Sequence, residues 1–96
     1  MKYIGFWEFC PGDLDKAIAK NNQVIADRKT GSKKFGTMIF GPFGLGGEMK
    51  GFTVYEVDNY EQLINISLHY APVMTWKFVP ILETGKVIEL WEKMKK

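Results

Sequence analysis

A ferredoxin-like α+β domain is the fold class this sequence predicts, and three observations carry that expectation. Strand-like and helix-like segments follow one another in the order β-α-β-β-α-β, with one extra C-terminal helix. The glycine-rich stretch "GPFGLGGEMKGF", residues 41–52, falls between the second and third strands, where this topology needs a hairpin. The first and fourth strands are apolar on both faces, although the helices of such a fold cover only one. A length of 96 residues suits one domain over 1–96, with no linker, repeat or low-complexity segment.

Residues 2–9, "KYIGFWEF", are β-branched and aromatic and stop at Cys10-Pro11-Gly12, as a strand before a turn does. Asp13 is placed to cap a helix to about Arg28. Its periodicity puts Leu14, Ala17, Ile18, Asn21 and Ile25 on one face with Val24 beside them, and Lys16, Lys20, Asp27 and Arg28 elsewhere. "KTGSKK" closes that helix with glycine and lysines. Strands follow at 35–43, "FGTMIFGPF", and at 51–57, "GFTVYEV". Asn59 and Gln62 have capping-box spacing for a helix to about Tyr70, whose expected core face is Tyr60, Leu63, Ile64, Ser67 and Leu68. Pro72 ends it. The fourth strand is 75–82, "TWKFVPIL", where Pro80 argues for an edge or a bulge. Thr84 then stands as cap to a last helix with a stripe of Val87, Ile88, Trp91 and Met94.

Seven Phe, four Tyr and three Trp are many for a chain this small, and they call for a second buried surface. Ile4 and Phe6 share one face of the first strand; Tyr3, Trp7 and Phe9 share the other. In the fourth strand Val79 and Ile81 oppose Trp76, Phe78 and Leu82. Two such sheets placed face to face as a homodimer would cover the surplus. The net charge of +2 forces neither a nucleic-acid nor a membrane partner. One cysteine, Cys10, rules out an internal disulfide and suits a reducing cytosol. The N-terminal stretch lacks a signal-peptide pattern, and no apolar run approaches a membrane span. The expectation is a cytoplasmic protein with no nucleic-acid or membrane partner.

Short motifs exclude several chemistries. Gly44 and Gly46 begin a dinucleotide fingerprint, but Met49 takes the third glycine's place and a strand follows. The stretch is expected to be a flexible hairpin lip rather than an anion site. "KGFTVYEV", 50–57, matches an RNA-recognition strand at Lys50, Gly51 and Phe52 and then departs from it. Val54 replaces a stacking aromatic, and Glu56 shares its face, where a carboxylate repels phosphate.

The strand ending "FWEFCPGD", the glycine-rich hairpin, the junction "GFTVYEVDNYEQL" and "FVPIL" together resemble a small family, domain of unknown function 3303, of the dimeric α/β-barrel group. The resemblance runs to about residue 83. It implies an eight-stranded dimeric α/β barrel shared by two chains. Some relatives in the wider group are cofactor-free or haem-dependent monooxygenases.

Candidate site residues follow from the residues themselves. Tyr3, Trp7, Tyr55 and Trp76 could line an aromatic pocket, with Glu8 or Glu56 as acid or base. The plainer reading makes these rings interface core and the carboxylates solvated strand ends, with Phe52 or Phe78 facing the partner sheet. No motif maps His69 onto a haem ligand, and it is expected at the surface. Cys10 has no visible activating partner, and one histidine with one cysteine cannot build a zinc site. No cofactor or metal is expected. The reading reached is a small cytosolic homodimer that holds a small apolar or aromatic molecule in the barrel or serves as a scaffold. A monooxygenase-like enzyme is the alternative, and an RNA-binding module a more distant one.

Overall fold

The computed structural model describes residues 1–95. Strand β1 (Lys2–Phe9) leads through a 3₁₀ turn at Pro11–Asp13 into helix α1 (Leu14–Lys29). Strands β2 (Thr37–Gly44) and β3 (Lys50–Glu56), helix α2 (Tyr60–Tyr70), strand β4 (Met74–Ile81) and helix α3 (Thr84–Met94) follow. The four strands form one antiparallel sheet in the order β2-β3-β1-β4. This is a small α+β domain with the ferredoxin-like order that the segment pattern predicts. Pro80 and Pro42 both sit in edge strands, where a missing backbone N–H costs no ladder bond.

The register sorts the strand residues by face. Tyr3, Gly5 and Trp7 of β1 stand opposite Tyr55, Thr53 and Gly51 of β3, and opposite Pro80, Phe78 and Trp76 of β4. This face lies under the helices. Its core joins Tyr3, Tyr55 and Val57 to Val24, Leu63, Ile66 and Tyr70, with Trp76 and Phe78 packed against them. On the other face Ile4 stands between Val54 and Val79, and Phe6 between Phe52 and Lys77. Phe52 also pairs with Phe43, and the rings of Phe40, Phe43 and Phe52 cluster at 4.9–6.2 Å between centres. Among the described residues no element covers this face.

The helices depart from their expected faces. In α1 the buried residues are Ala17 and Val24, while Leu14, Ile18 and Ile25 are exposed. In α2 the inward residues are Gln62, Leu63, Ile66 and Tyr70; Tyr60, Ile64 and Leu68 point outward. Both helices are apolar on more than one face, so periodicity alone does not choose between them. Asn59 does cap α2, accepting from the Gln62 backbone N–H at 3.2 Å. The Gln62 side chain reaches back to the Asp58 N–H at 2.6 Å and donates to the Lys33 carbonyl at 2.6 Å. Asp13 does stand at the N-cap of α1 but makes no side-chain cap bond, and Thr84 is not a cap: it lies inside α3, after the N-cap Glu83. The entry to α1 is managed by the 3₁₀ turn instead, with the Asp13 N–H bonded to the Cys10 carbonyl at 2.9 Å.

The stretch 41–52 closes the β2–β3 hairpin. Gly46 and Gly47 have φ of 53° and 81°, and the Glu48 N–H bonds the Leu45 carbonyl at 3.0 Å. Positive φ at both central residues is what a tight hairpin turn of this hand needs.

Candidate functional site

Two glycines prepare the floor of a cavity. Trp7 and Trp76 are cross-strand partners on the helix side, and Gly51 stands beside Trp7 in β3. A Cβ at Gly51 would strike the Phe43 carbonyl and the Trp7 ring. One at Gly5 would come within 2.8 Å of Phe78 and 2.9 Å of Trp76. The indoles therefore lie down on bare backbone. Trp76 stacks on Phe78 at 5.4 Å and 10° and meets the Tyr70 ring at 5.4 Å. Above this floor α1 presents Ala17, too small to reach it. A cavity of about 180 Å³ remains between α1 and the sheet. Trp7, Phe9, Ile18, Met74 and Trp76 give it apolar walls.

Five polar side chains converge on the same space: Asn21, Arg28, Thr53, Tyr55 and Tyr70. Trp7 Nε1 donates to Thr53 Oγ1 at 3.3 Å, and the Tyr70 hydroxyl donates to Asn21 Oδ1 at 3.2 Å. Arg28 is anchored at the loop before β2, where Nε donates to the Gly36 carbonyl at 3.4 Å and Nη2 to that of Phe35 at 3.2 Å. Its Cζ lies 5.5 Å from the centre of the Tyr55 ring. Among the described residues no carboxylate pairs with Arg28. Trp76 Nε1 is buried and has no hydrogen-bond partner. Burial pushes the Tyr55 hydroxyl above the ordinary phenol range, and the Arg28 charge pulls it part of the way back. Burial pushes the Tyr70 hydroxyl up further, reinforced by Tyr55. Both phenols are therefore neutral donors near pH 7.

The eight expected site residues divide between the two faces. Trp7, Tyr55 and Trp76 line the cavity; Tyr3 and Phe78 pack in the core beside it. Glu8, Phe52 and Glu56 lie on the open face. Glu56 takes the Met1 amino group at 2.8 Å. Glu8 borders a second cavity, of about 320 Å³, with Lys50, Lys77 and the hairpin's Leu45. Neither carboxylate reaches the cavity under α1. Phe78 belongs to the helix-side core, so of the two expected partner-facing rings Phe52 alone is on the open face.

Arg28 is the residue that the sequence pattern misplaced. It falls four residues after Val24 and seven after Asn21, which is the inward face once Val24 is taken as its centre. His69 is half-buried rather than at the surface. Its Nε2 lies 3.2 Å from the Lys20 carbonyl, and its ring meets Phe35 at 5.2 Å, so it ties α2 to α1. Cys10 is exposed. Among the described residues no three His, Cys, Asp or Glu side chains gather as a metal site would need. No described helix is long and apolar enough to cross a membrane.

Fold and cavity define a small α+β domain of ferredoxin-like topology with a ligand-sized space under its first helix. The chain belongs to the family described as Domain of unknown function (DUF3303), whose model matches residues 1–95. No curated protein and no solved structure matches it.

Proposed function

We propose that this chain binds a small apolar or aromatic molecule in the cavity between α1 and the sheet, as a homodimer in the manner of the dimeric α/β barrels. The observation that carries the reading is the cavity itself: aromatic walls, about 180 Å³, and a few convergent polar groups. Binding sites for small molecules have this make-up. A dry cavity of about 150 Å³ is enough to take benzene. The space under α1 therefore suits a single ring with one or two substituents. The site proposed is on the helix side of the sheet, not between two sheets.

The homodimer draws support from the open sheet face and from α3. Phe6, Phe40 and Phe43 are exposed there, and Val87, Ile88 and Trp91 form an unburied stripe on α3. A second copy meets such a face isologously, with each apolar row paired to its own equivalent. Catalysis has weaker support. Glu8 and Glu56 face away from the cavity, and Tyr55 and Tyr70 hold their protons near neutrality.

Calorimetric titration with benzyl alcohol tests the binding reading. A saturable, one-to-one heat is expected, and Ala17→Met, which extends a side chain into the cavity, should abolish it while the protein stays folded. No saturable heat with the unaltered protein contradicts the reading.

A further inference from the structure

The electrostatics of the cavity are unfinished. Arg28 is half-buried, and its charge is met by two backbone carbonyls and the Tyr55 ring but by no described carboxylate. A guanidinium withdrawn from water is ordinarily paired with an anion. Thr53 and Tyr55 line the same cavity as Arg28, and both hydroxyls can donate to an oxygen. Tyr55 stays protonated there and remains a donor. Indole rings and aliphatic side chains line the same space, with Trp7 Nε1 bonded to Thr53 at 3.3 Å and the Trp76 ring 6.0 Å from that of Tyr55.

We infer that the ligand is an anionic single-ring compound, an aromatic carboxylate, whose oxyanion completes Arg28 while its ring lies against Trp7 and Trp76. The inference rests on the binding reading above and narrows it to one chemical class. Planar recognition of a carboxylate by a guanidinium suits this geometry, because a fork of N–H donors meets two oxygens at once. The polar groups select the charge, and the aromatic rings beside them select the ring. Glu8 and Glu56, which would repel an anion, are on the opposite face of the sheet.

Three probes of one shape separate the possibilities: benzoate, benzyl alcohol and benzylamine, titrated into the full chain and followed by tryptophan fluorescence. Benzoate is expected to bind at least about tenfold more tightly than benzyl alcohol, as a charge-assisted pair implies, with benzylamine the weakest. Arg28→Met keeps the aliphatic stem and removes the charge. It should bring benzoate down to the level of benzyl alcohol, so that the preference for the anion is lost, while the circular dichroism of the variant shows that it is folded. Should that variant not fold, the ranking in the unaltered protein decides the matter alone. Equal binding of benzoate and benzyl alcohol overturns the anion inference and leaves the pocket reading standing. No binding by any of the three overturns both.

Discussion

Gly51 and Gly5 shape the cavity by what they lack. At Gly51 the space of a methyl group is already taken by the Phe43 carbonyl and the Trp7 ring. Gly51→Ala must therefore push backbone or indole aside, and a cost of about 1–3 kcal/mol or more is expected. Gly44, in the same hairpin, has open space at its Cβ. Gly44→Ala should stay within about 0.5 kcal/mol. Urea denaturation of the two variants side by side measures the contrast, and equal values would mean that Trp7 does not lie where described. Tyr55 and Tyr70 give a pH signature. Their folded pKa values are raised, so the folded state keeps protons that the unfolded chain has lost. Stability should be level up to the ordinary phenol value of about 10 and then fall as pH climbs through the higher folded values. Tyr70→Phe should flatten that fall in the urea midpoint. An unchanged slope would show that Tyr70 is not withdrawn from water.

At the scale of elements, cap chemistry separates α2 from α3. Asn59 bonds the Gln62 N–H, whereas Thr84 lies within α3 and Glu83 makes no side-chain cap bond. Asn59→Ala should cost about 1 kcal/mol and Thr84→Ala little, both read from thermal unfolding. A comparable loss at both positions would contradict the cap assignment. The order of elements was legible in the sequence because strands alternate with a period of two and Gly or Pro punctuates nearly every junction. The helix faces were not. Leu14, Ile18 and Ile25 outweigh Ala17 and Val24 in any count of apolar bulk, yet Ala17 and Val24 are the buried pair, so side-chain bulk does not mark the inward face of this helix. Arg28 was not legible either: charge argues for solvent, whereas the loop carbonyls of Phe35 and Gly36 hold it inward. The aromatic part of the site was legible at Trp7, Tyr55 and Trp76, since alternation fixed their shared face. Its depth was not, because it depends on Ala17 in a helix distant in sequence.

The whole molecule is more open than its mass requires. Its accessible surface is 6642 Å², where a compact 11.0 kDa monomer would show about 5,600 Å². The radius of gyration is 15.5 Å, against about 13 Å for a compact domain of this size. Much of the excess is apolar: the open sheet face and a helix α3 that buries none of its side chains. A homodimer is the expected remedy, and light scattering should give twice the 11.0 kDa chain mass. Phe52→Lys, on the open face, should yield a folded monomer, while Phe78→Lys, in the core, should unfold the chain. A folded Phe52→Lys dimer would move the interface elsewhere. The three indoles distinguish the cavity under α1 from the rest of the molecule. Trp7 and Trp76 line it, while Trp91 stands apart on α3. The most direct measurement is a ¹⁵N-indole NMR titration with benzyl alcohol. The resonances of Trp7 and Trp76 should shift together and saturate while that of Trp91 stays still; a shift confined to Trp91, or none at all, would contradict the account.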